Sequence, residues 1–192
     1  MADKNIRFYD HIGDHYDAQL AADSGNDAVR KQVASYFVQH VHKDASVLDF
    51  GGGTGLDLPW LLSNNYSVYF LEPATNMREQ AKAKTSLLNY QSDQLHFLEA
   101  HDLQNFENWH QSNLPVQNID AVLANFGVIN SIADPEKLFE KLELFLKEGG
   151  QLFIVMLDSR WQAMLRKKRL KPLFKSLFYR ETPSFRFSHD GY

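Results

Sequence analysis

The sequence has no cysteine among its 192 residues. Disulfides, thiolate metal ligands and a cysteine nucleophile are therefore excluded. The sequence also has no run approaching the roughly 20 apolar residues that span a bilayer, and its amino terminus lacks the charged and then apolar order of a signal peptide. We therefore expect a cytoplasmic protein without a membrane partner. With 44% hydrophobic residues the chain can bury one full core, which predicts a single domain over residues 1–192.

Positive charge is scarce before residue 159. Residues 159–192 hold nine Lys/Arg and two Asp/Glu, which leaves eleven Lys/Arg and 22 Asp/Glu in residues 1–158. A basic face is typical of nucleic-acid binders, so the acidic body disfavours a nucleic-acid partner. For the basic tail we expect a solvated helix, and attraction of an acidic substrate is the alternative.

Short apolar runs alternate with segments of helical periodicity along the chain. Strands are predicted at 46–50, 67–71, 95–98, 119–124 and 151–157. Helices are predicted at 27–42, 58–62 and 76–88, and from Asp134-Pro135 to Gly149-Gly150. The last strand is apolar without interruption, which predicts a buried central strand.

This alternation predicts a doubly wound, Rossmann-like α/β fold, in which a mostly parallel sheet carries helices on both faces. Ligands of such sheets bind beyond the carboxyl ends of the strands, at the point where the strand order reverses. Every polar motif considered below follows the end of a predicted strand. We therefore expect these motifs to meet at one edge of the sheet.

The first strand runs into Asp49-Phe50-Gly51-Gly52-Gly53-Thr54-Gly55. A glycine-rich turn between a strand and a helix lets the backbone approach a ligand closely. A phosphate-binding loop would need Lys-Ser/Thr after its last glycine, but Leu56-Asp57 follows here. The dinucleotide fingerprint would need a small residue at position 56, so an NAD-dependent oxidoreductase is the less favoured alternative. A tight turn without a ligand is the other alternative.

The spacing Asp49-x-Gly51-x-Gly53-x-Gly55 resembles motif I of the class I S-adenosylmethionine-dependent methyltransferases. The resemblance covers residues 45–158 and implies methyl transfer by in-line displacement, with S-adenosyl-L-methionine as the cofactor. It implies that Asp49, Gly51, Gly52, Gly53 and Gly55 bind this cofactor.

Three later segments match the family's cofactor contacts in chain order. Glu72-Pro73 follows the second strand, where the family has an acid that accepts hydrogen bonds from both ribose hydroxyls. Met77 resembles the family's apolar residue near the adenine. Asp102-Leu103 follows the third strand, and the resemblance implies that Asp102 accepts from the adenine amino group while Leu103 lies beside the ring. Asn125-Phe126 follows the fourth strand and is implied to lie beside the sulfonium and the acceptor.

The same resemblance indicates a small-molecule acceptor. Asn125-Phe126-Gly127 lacks the Pro-Pro-aromatic sequence of the enzymes that methylate exocyclic amines of nucleobases, and without cysteine the chain cannot carry out cytosine C5 chemistry. The motif therefore disfavours a nucleic-acid partner, as the charge distribution does.

The segment from Phe8 to Asp17 resembles the Tyr-Asp lead-in of small-molecule methyltransferases related to quinone-biosynthesis enzymes. In that reading Tyr16, or in second place Tyr9, covers the cofactor. An amphipathic surface helix is the alternative. His11 and His15 lie in the same segment and are candidate bases for an acceptor that must lose a proton. We expect no metal site, because the histidines form no ligand pair.

The resemblance weakens after residue 158. The family completes a seven-stranded sheet with an antiparallel hairpin, whereas residues 159–192 predict two cap helices, the first of them basic, and a frayed strand. The hairpin is therefore expected to be absent or incomplete, with the fifth-strand edge covered by the basic tail or by a second copy in a homodimer. The predicted layout is an N-terminal cap and first helix (1–44), a cofactor-binding core (45–158) and a basic helical tail (159–192). A catalytically silent S-adenosylmethionine-binding domain, or a truncated fragment, is the alternative function.

Overall fold

The computed structural model describes residues 2–21, 24–88, 90–98 and 118–156. The helices are α1 (Ala2–Ala21), α2 (Ser24–His40), α3 (Leu58–Ser63), α4 (Thr75–Thr85) and α5 (Pro135–Glu143). The strands are β1 (Ser46–Phe50), β2 (Ser67–Leu71), β3 (Leu95–Leu98), β4 (Ile119–Ala124) and β5 (Leu146–Ile154). A 3-10 turn covers Val128–Ser131. None of the described helices is both long and apolar enough to cross a bilayer.

The five strands form one parallel sheet in the order β3-β2-β1-β4-β5. The strand order reverses between β1 and β4, so the crevice beyond their carboxyl ends is the expected ligand position. This arrangement confirms the predicted α/β fold. It places the segments after β1, β2 and β4 at the same edge of the sheet.

A core cluster lies on each face of the sheet, and the buried strands contribute to both clusters because their side chains alternate between the faces. On one face Val47 and Phe70 belong to a core cluster with Phe37 of α2 and Leu61 of α3. On the other face a second cluster contains Leu48, Phe50 and the α5 residues Leu138 and Leu142. The helix α5 begins as predicted, because the Asp134 side chain accepts from the Lys137 N–H at 3.0 Å.

The sequence prediction for the fifth strand was wrong in two respects. The helix ends at Glu143, six residues before Gly149, and both glycines lie within β5 rather than at the helix end. Gly149 has φ +75°, and the β4–β5 register shifts nearby, between Ile119 and Ala121, so the glycines accommodate an irregular strand. In addition, β5 lies at one end of the described sheet with Leu152 37% exposed. Its apolar run therefore does not make it a buried central strand.

Residues 1–155 form one compact unit. The predicted basic tail at 159–192, the hairpin and the cover of the β5 edge lie outside the described residues. The cytoplasmic location also stays a prediction.

Candidate functional site

A cavity that is partly open to solvent lies beyond the carboxyl ends of β1, β2 and β4, the position where ligands of such sheets bind. Its walls come from α1, α2, the end of β1 and the turn after it, the segment after β2, the start of α4 and the segment after β4. They are Asn5, Ile6, Tyr9, Tyr16, Arg30, Asp49, Gly51, Gly52, Gly53, Thr54, Leu56, Asp57, Glu72, Pro73, Met77, Asn125, Phe126, Val128, Ser131 and Ile132.

The glycine turn passes through a space that excludes side chains on two sides. A Cβ on Gly51 would lie 2.2 Å from Cγ2 of Val128, and one on Gly52 would lie 2.3 Å from Cε2 of Phe70. Gly51 also has φ +69°, a conformation that L side chains rarely adopt. The turn is therefore fixed as bare backbone between β2 and the segment after β4.

Gly53 and Gly55 serve different purposes in the same turn. A Cβ on Gly53 would meet only Sδ of Met77, at 3.8 Å, so this glycine has open space beside it at the cavity wall. A Cβ on Gly55 would lie 2.8 Å from both Ala81 and Leu58. Gly55 does not line the cavity, and its missing side chain lets α3 approach α4.

Glu72 follows β2 and ties it to the glycine turn. Its Oε2 accepts from the Gly53 N–H at 2.9 Å and its Oε1 from the Ala74 N–H at 2.8 Å. The side chain is buried, and this burial raises its pKa to about 7 despite the two N–H donors. Each carboxylate oxygen keeps a second lone pair for a ligand donor.

Asp49, at the cavity end of β1, has a buried carboxyl group of which one oxygen lacks a hydrogen-bond partner in the described structure. It is 1% exposed, and its Oδ2 has no hydrogen-bond partner within the described structure. Burial raises its pKa well above the ordinary value, and the nearby charges of Asp57 and Glu72 raise it further. A buried oxygen of this kind requires a donor or a cation from elsewhere.

Asp57 joins three elements at the floor of the cavity. It accepts from Arg30 Nη1 at 3.1 Å, from Trp60 Nε1 at 3.0 Å and from Asn125 Nδ2 at 2.8 Å. Asn125 in turn accepts from the Phe126 N–H at 2.9 Å. These bonds connect α2, α3 and the segment after β4.

Phe126 and Arg30 form a stacked pair within this network. Phe126 has φ +55°, which is uncommon for a residue other than glycine and costs energy that the surrounding contacts must offset. The Arg30 Cζ lies 4.0 Å from the centroid of the Phe126 ring. The stacking and the Asn125 bond together hold Phe126 at the cavity wall.

Helix α1 contributes to the wall of the cavity and is fixed to α4 by polar contacts. The Asn76 N–H donates to Asp10 Oδ1 at 2.8 Å, and Gln80 Nε2 donates to Asp14 Oδ1 at 2.9 Å. The rings of Tyr9 and Tyr16 on this helix meet edge to face, 6.2 Å apart. Burial raises the pKa of Tyr16 above its usual range, so the phenol stays neutral.

A second contact ties α1 to the glycine turn itself. Thr54 Oγ1 donates to Asp17 Oδ1 at 2.5 Å, and Lys84 of α4 donates to the Thr54 carbonyl at 2.8 Å while pairing with Asp17. Thr54 is thus held from two helices at once. The position of α1 and the shape of the turn are coupled through this residue.

The structure brings most of the predicted site residues together. Those that line the cavity are Tyr16, Asp49, Gly51, Gly52, Gly53, Glu72, Pro73, Met77, Asn125 and Phe126. His11 and His15 are exposed and are not among its walls. Asp102 and Leu103 lie outside the described residues.

Sequence reasoning missed Arg30 and Asp57. Arg30 lies in a helix without a motif, and Asp57 was noted only as a mismatch to the phosphate-binding loop. Their ion pair joins residues 27 positions apart, which no local spacing indicates. A weak signal was available, because Asp57 comes only two positions after the last motif glycine, close to the turn that was expected to bind the ligand.

The charges of the walls fit a cationic ligand that carries hydroxyl groups. The described walls include the three acidic residues Asp49, Asp57 and Glu72, whereas Arg30 is the single Lys or Arg among them. The unpartnered Asp49 oxygen suits an ammonium group, and the Glu72 oxygens suit a pair of hydroxyls. A sulfonium nucleoside with an amino-acid end has both features.

Comparison with known proteins gives a family match and several similar folds. A family model described as a methyltransferase domain matches residues 19–188. The Methanococcus maripaludis protein mmp1179 has a similar structure (TM-score 0.60, 15% identity, 91% of this chain and 76% of that chain covered). So do the protein of the DhpI-SAM-HEP complex (0.62, 19%, 86% and 70%) and a SAM-dependent methyltransferase of Aquifex aeolicus (0.55, 19%, 74% and 78%). At these identities the structural likeness shows the fold alone, and no curated protein matches the sequence.

Proposed function

The chain belongs to the methyltransferase domain family, and from this premise we propose that it methylates a small molecule. It is a methyltransferase that uses S-adenosyl-L-methionine as the methyl donor. The observation that carries the proposed acceptor class is the partial cover that α1 provides, since Ile6, Tyr9 and Tyr16 line the cavity. A partly covered cavity admits a small acceptor more readily than a polymer.

The described residues suggest how the cofactor is held. Glu72 would accept from the ribose hydroxyls through its free lone pairs, and the unpartnered oxygen of Asp49 would accept from the ammonium group. Gly51, Gly52 and Gly53 would lie against the cofactor as bare backbone. Met77 and Pro73 contribute the apolar wall beside them.

The remaining assignments rest on the family resemblance. Asp102 and Leu103 keep their proposed place at the adenine. Tyr16, with Tyr9 beside it, is proposed to cover the cofactor from α1, and both line the cavity. A role for His11 or His15 as base also stays a proposal, and it requires α1 to move, because both side chains are exposed and outside the cavity walls.

Bound in this way, S-adenosylmethionine supplies a methyl group on a positively charged sulfur. The protein's own contribution is mainly positional, because holding two reactants in near-attack geometry can lower a barrier by about 7 to 11 kcal/mol. Asn125 and Phe126, fixed through Asp57 and Arg30, would form the wall against which the acceptor aligns. The buried acids favour the cationic reactant, so they contribute binding rather than transition-state stabilisation.

Isothermal titration with S-adenosylhomocysteine tests the site. We expect Glu72→Ala and Gly53→Val each to weaken binding by about 100-fold, because one removes a charged acceptor and the other puts a branched side chain on backbone at φ +58°. Glu79→Ala is the matched control, since Glu79 is exposed and pairs only with Lys82 in the described structure. Unchanged binding in both site variants would rule the site out.

Turnover separates the acceptor classes. With a panel of small acceptors that carry a hydroxyl, an amine or an acidic C–H group, we expect methylated products. Methylation of RNA or protein alone would contradict the small-molecule proposal. Binding of the cofactor without turnover on any acceptor is the result expected of a catalytically silent domain.

A further inference from the structure

Five residues of the cavity walls are not used by the proposed cofactor contacts, and they come from two separate segments. Asn5 and Ile6 lie near the start of α1. Val128, Ser131 and Ile132 lie in the 3-10 turn after β4 or directly after it. None of the five side chains is ionisable, and we call them the neutral walls.

The apolar members of the neutral walls belong to two different core clusters. Ile6 packs against the cluster that contains Met77, between α1 and α4. Val128 and Ile132 pack in the cluster on the α5 face of the sheet. All three side chains line the same cavity, so a ligand that fills it removes apolar surface of both clusters from water. Such a ligand has to be apolar over part of its own surface.

The polar members of the neutral walls restrict the hydrogen bonds that this ligand can make. Ser131 Oγ donates to the Val128 carbonyl at 2.7 Å. The single proton of the hydroxyl is thus used within the protein, and the oxygen is left as an acceptor for a ligand O–H or N–H. Asn5 contributes a neutral amide, which can both donate and accept.

The charged walls are already engaged elsewhere. Arg30 and Asp57 pair with each other at 3.1 Å. Asp49 and Glu72 are assigned to the cofactor under the proposed function. A charged group on the acceptor would therefore lie against aliphatic side chains without a free counter-charge among the described walls, and its loss of hydration would oppose binding.

We propose that the neutral walls form the acceptor subsite, and that the acceptor is an uncharged, mainly apolar molecule with an O–H or N–H donor that binds Ser131. The inference rests on the proposed function and deepens it, because it names the chemical class of the acceptor. Asn5 recognises a second polar atom of the same molecule.

Titrations of the full chain, saturated with S-adenosylhomocysteine, test the charge preference. The probes are 1-hexanol, hexanoate and hexylammonium, which share one apolar chain length and differ in charge. Wild type should bind 1-hexanol about tenfold more tightly than either ion. Asn5→Asp puts a carboxylate into the subsite, so it should favour hexylammonium over hexanoate by about tenfold.

Asn65→Asp is the matched control for the added charge. Asn65 is exposed and lies shortly before β2, at the other edge of the sheet. The same substitution at this position should leave the order of the three probes as it is in wild type.

A second pair of probes tests the hydrogen bond to Ser131. Methyl pentyl ether is an isomer of 1-hexanol that lacks the O–H donor. Wild type should prefer 1-hexanol by about 3- to 10-fold, and Ser131→Ala should abolish this preference. Ser131→Thr keeps a hydroxyl and should keep the preference. Because Ser131→Ala also loses the bond to the Val128 carbonyl, its thermal unfolding is measured alongside, and a purely structural defect would weaken both probes equally.

Two results would overturn the acceptor subsite and leave the proposed function intact. One is wild type that binds S-adenosylhomocysteine but either does not bind 1-hexanol or binds one of the two ions more tightly. The other is an unchanged probe preference in Asn5→Asp or in Ser131→Ala. Wild type that does not bind S-adenosylhomocysteine would reject the proposed function instead.

Discussion

Two aspartates on neighbouring strands have opposite surroundings. Asp49 lies at the cavity end of β1, and its Oδ2 has no partner in the described structure. Asp120 lies at the other end of the sheet, near the start of β4. Its Oδ2 accepts from the Ser46 N–H at 2.8 Å and from Ser46 Oγ at 2.7 Å, while its Oδ1 accepts from His42 Nε2 at 2.9 Å and pairs with Lys147.

The pKa values of the two groups move in opposite directions. Burial raises the pKa of Asp49, and the charges of Asp57 and Glu72 add to the rise. Partial burial acts in the same sense on Asp120, but hydrogen bonds from Lys147, Ser46 and His42 outweigh it and bring the pKa far below its ordinary value. One end of the sheet therefore satisfies its charge within the protein, and the other end leaves charge for a ligand. Function is found where the fold leaves its polar groups unpaired.

Removing Asp120 should cause the largest loss of stability. Asp120→Ala deprives Ser46, His42 and Lys147 of their acceptor, so we expect about 3 kcal/mol of destabilisation and a Tm lower by about 6 to 12 °C. Calorimetry measures the Tm, with the exposed Asp93→Ala as control. Binding of S-adenosylhomocysteine by the folded variant should be unchanged, and a loss of binding would show that the two ends are not independent.

Removing the charge of Asp49 should have the opposite pattern. Asp49→Asn should bind S-adenosylmethionine about 10- to 30-fold more weakly, because the ammonium loses its anion. At pH 7 it should stabilise the ligand-free protein by about 1 kcal/mol, since the raised pKa of Asp49 means that its ionisation above the ordinary pKa of 3.8 costs stability. A lower Tm with normal binding would show that Asp49, like Asp120, contributes to stability and not to binding.

The pKa of Glu72 predicts how binding changes with pH. The ribose hydroxyls require the carboxylate, and Glu72 in the free protein titrates at about 7. Affinity for S-adenosylhomocysteine should therefore fall by about tenfold between pH 8 and pH 6. The stability of the ligand-free protein should change in the other direction, being fully present below the ordinary pKa of 4.5 and lost as pH rises through 7. Titration calorimetry at several pH values measures the first effect, and an equal slope in Glu72→Gln would contradict it.

His42 should give the smallest effect. Its Nδ1 lies 2.7 Å from the Lys43 carbonyl and its Nε2 lies 2.9 Å from Asp120, so both nitrogens donate only if the ring is protonated. These hydrogen bonds raise its pKa above 6.5, and the stability it contributes is lost as pH rises through that raised pKa. In an exposed ion pair this amounts to about a few tenths of a kcal/mol. Proton NMR of Asp120→Asn should show the His42 pKa returning toward 6.5.

Local sequence predicted the parts of the fold that local physics determines. The strands β1 to β4 are apolar runs bounded by turn residues, and each was predicted with its observed bounds. The strand β5 was predicted five residues too late, because Gly149-Gly150 has the pattern of a helix end and only the pairing with β4 shows otherwise. Motif residues such as Glu72 could be placed because strand ends share one edge of a parallel sheet.

The parts of the site that were missed depend on tertiary contacts. Arg30 reaches the cavity because α2 packs beside the start of α3, and the Asp120 network joins β1, β4 and β5 with the turn after α2. Neither arrangement has a fixed sequence spacing. The two aspartates also look alike in sequence, since each lies within an apolar strand, and only their partners distinguish them.

The packing around Gly51 and Gly52 limits the substitutions that these two positions accept. Side chains at these positions would collide with Val128 and Phe70 whether or not a nucleoside is bound. The two glycines are therefore required by packing, whereas Asp49 is a buried carboxyl whose replacement would remove a desolvation cost. In a copy of this chain that no longer binds a nucleoside, we expect Asp49 to be lost before either glycine.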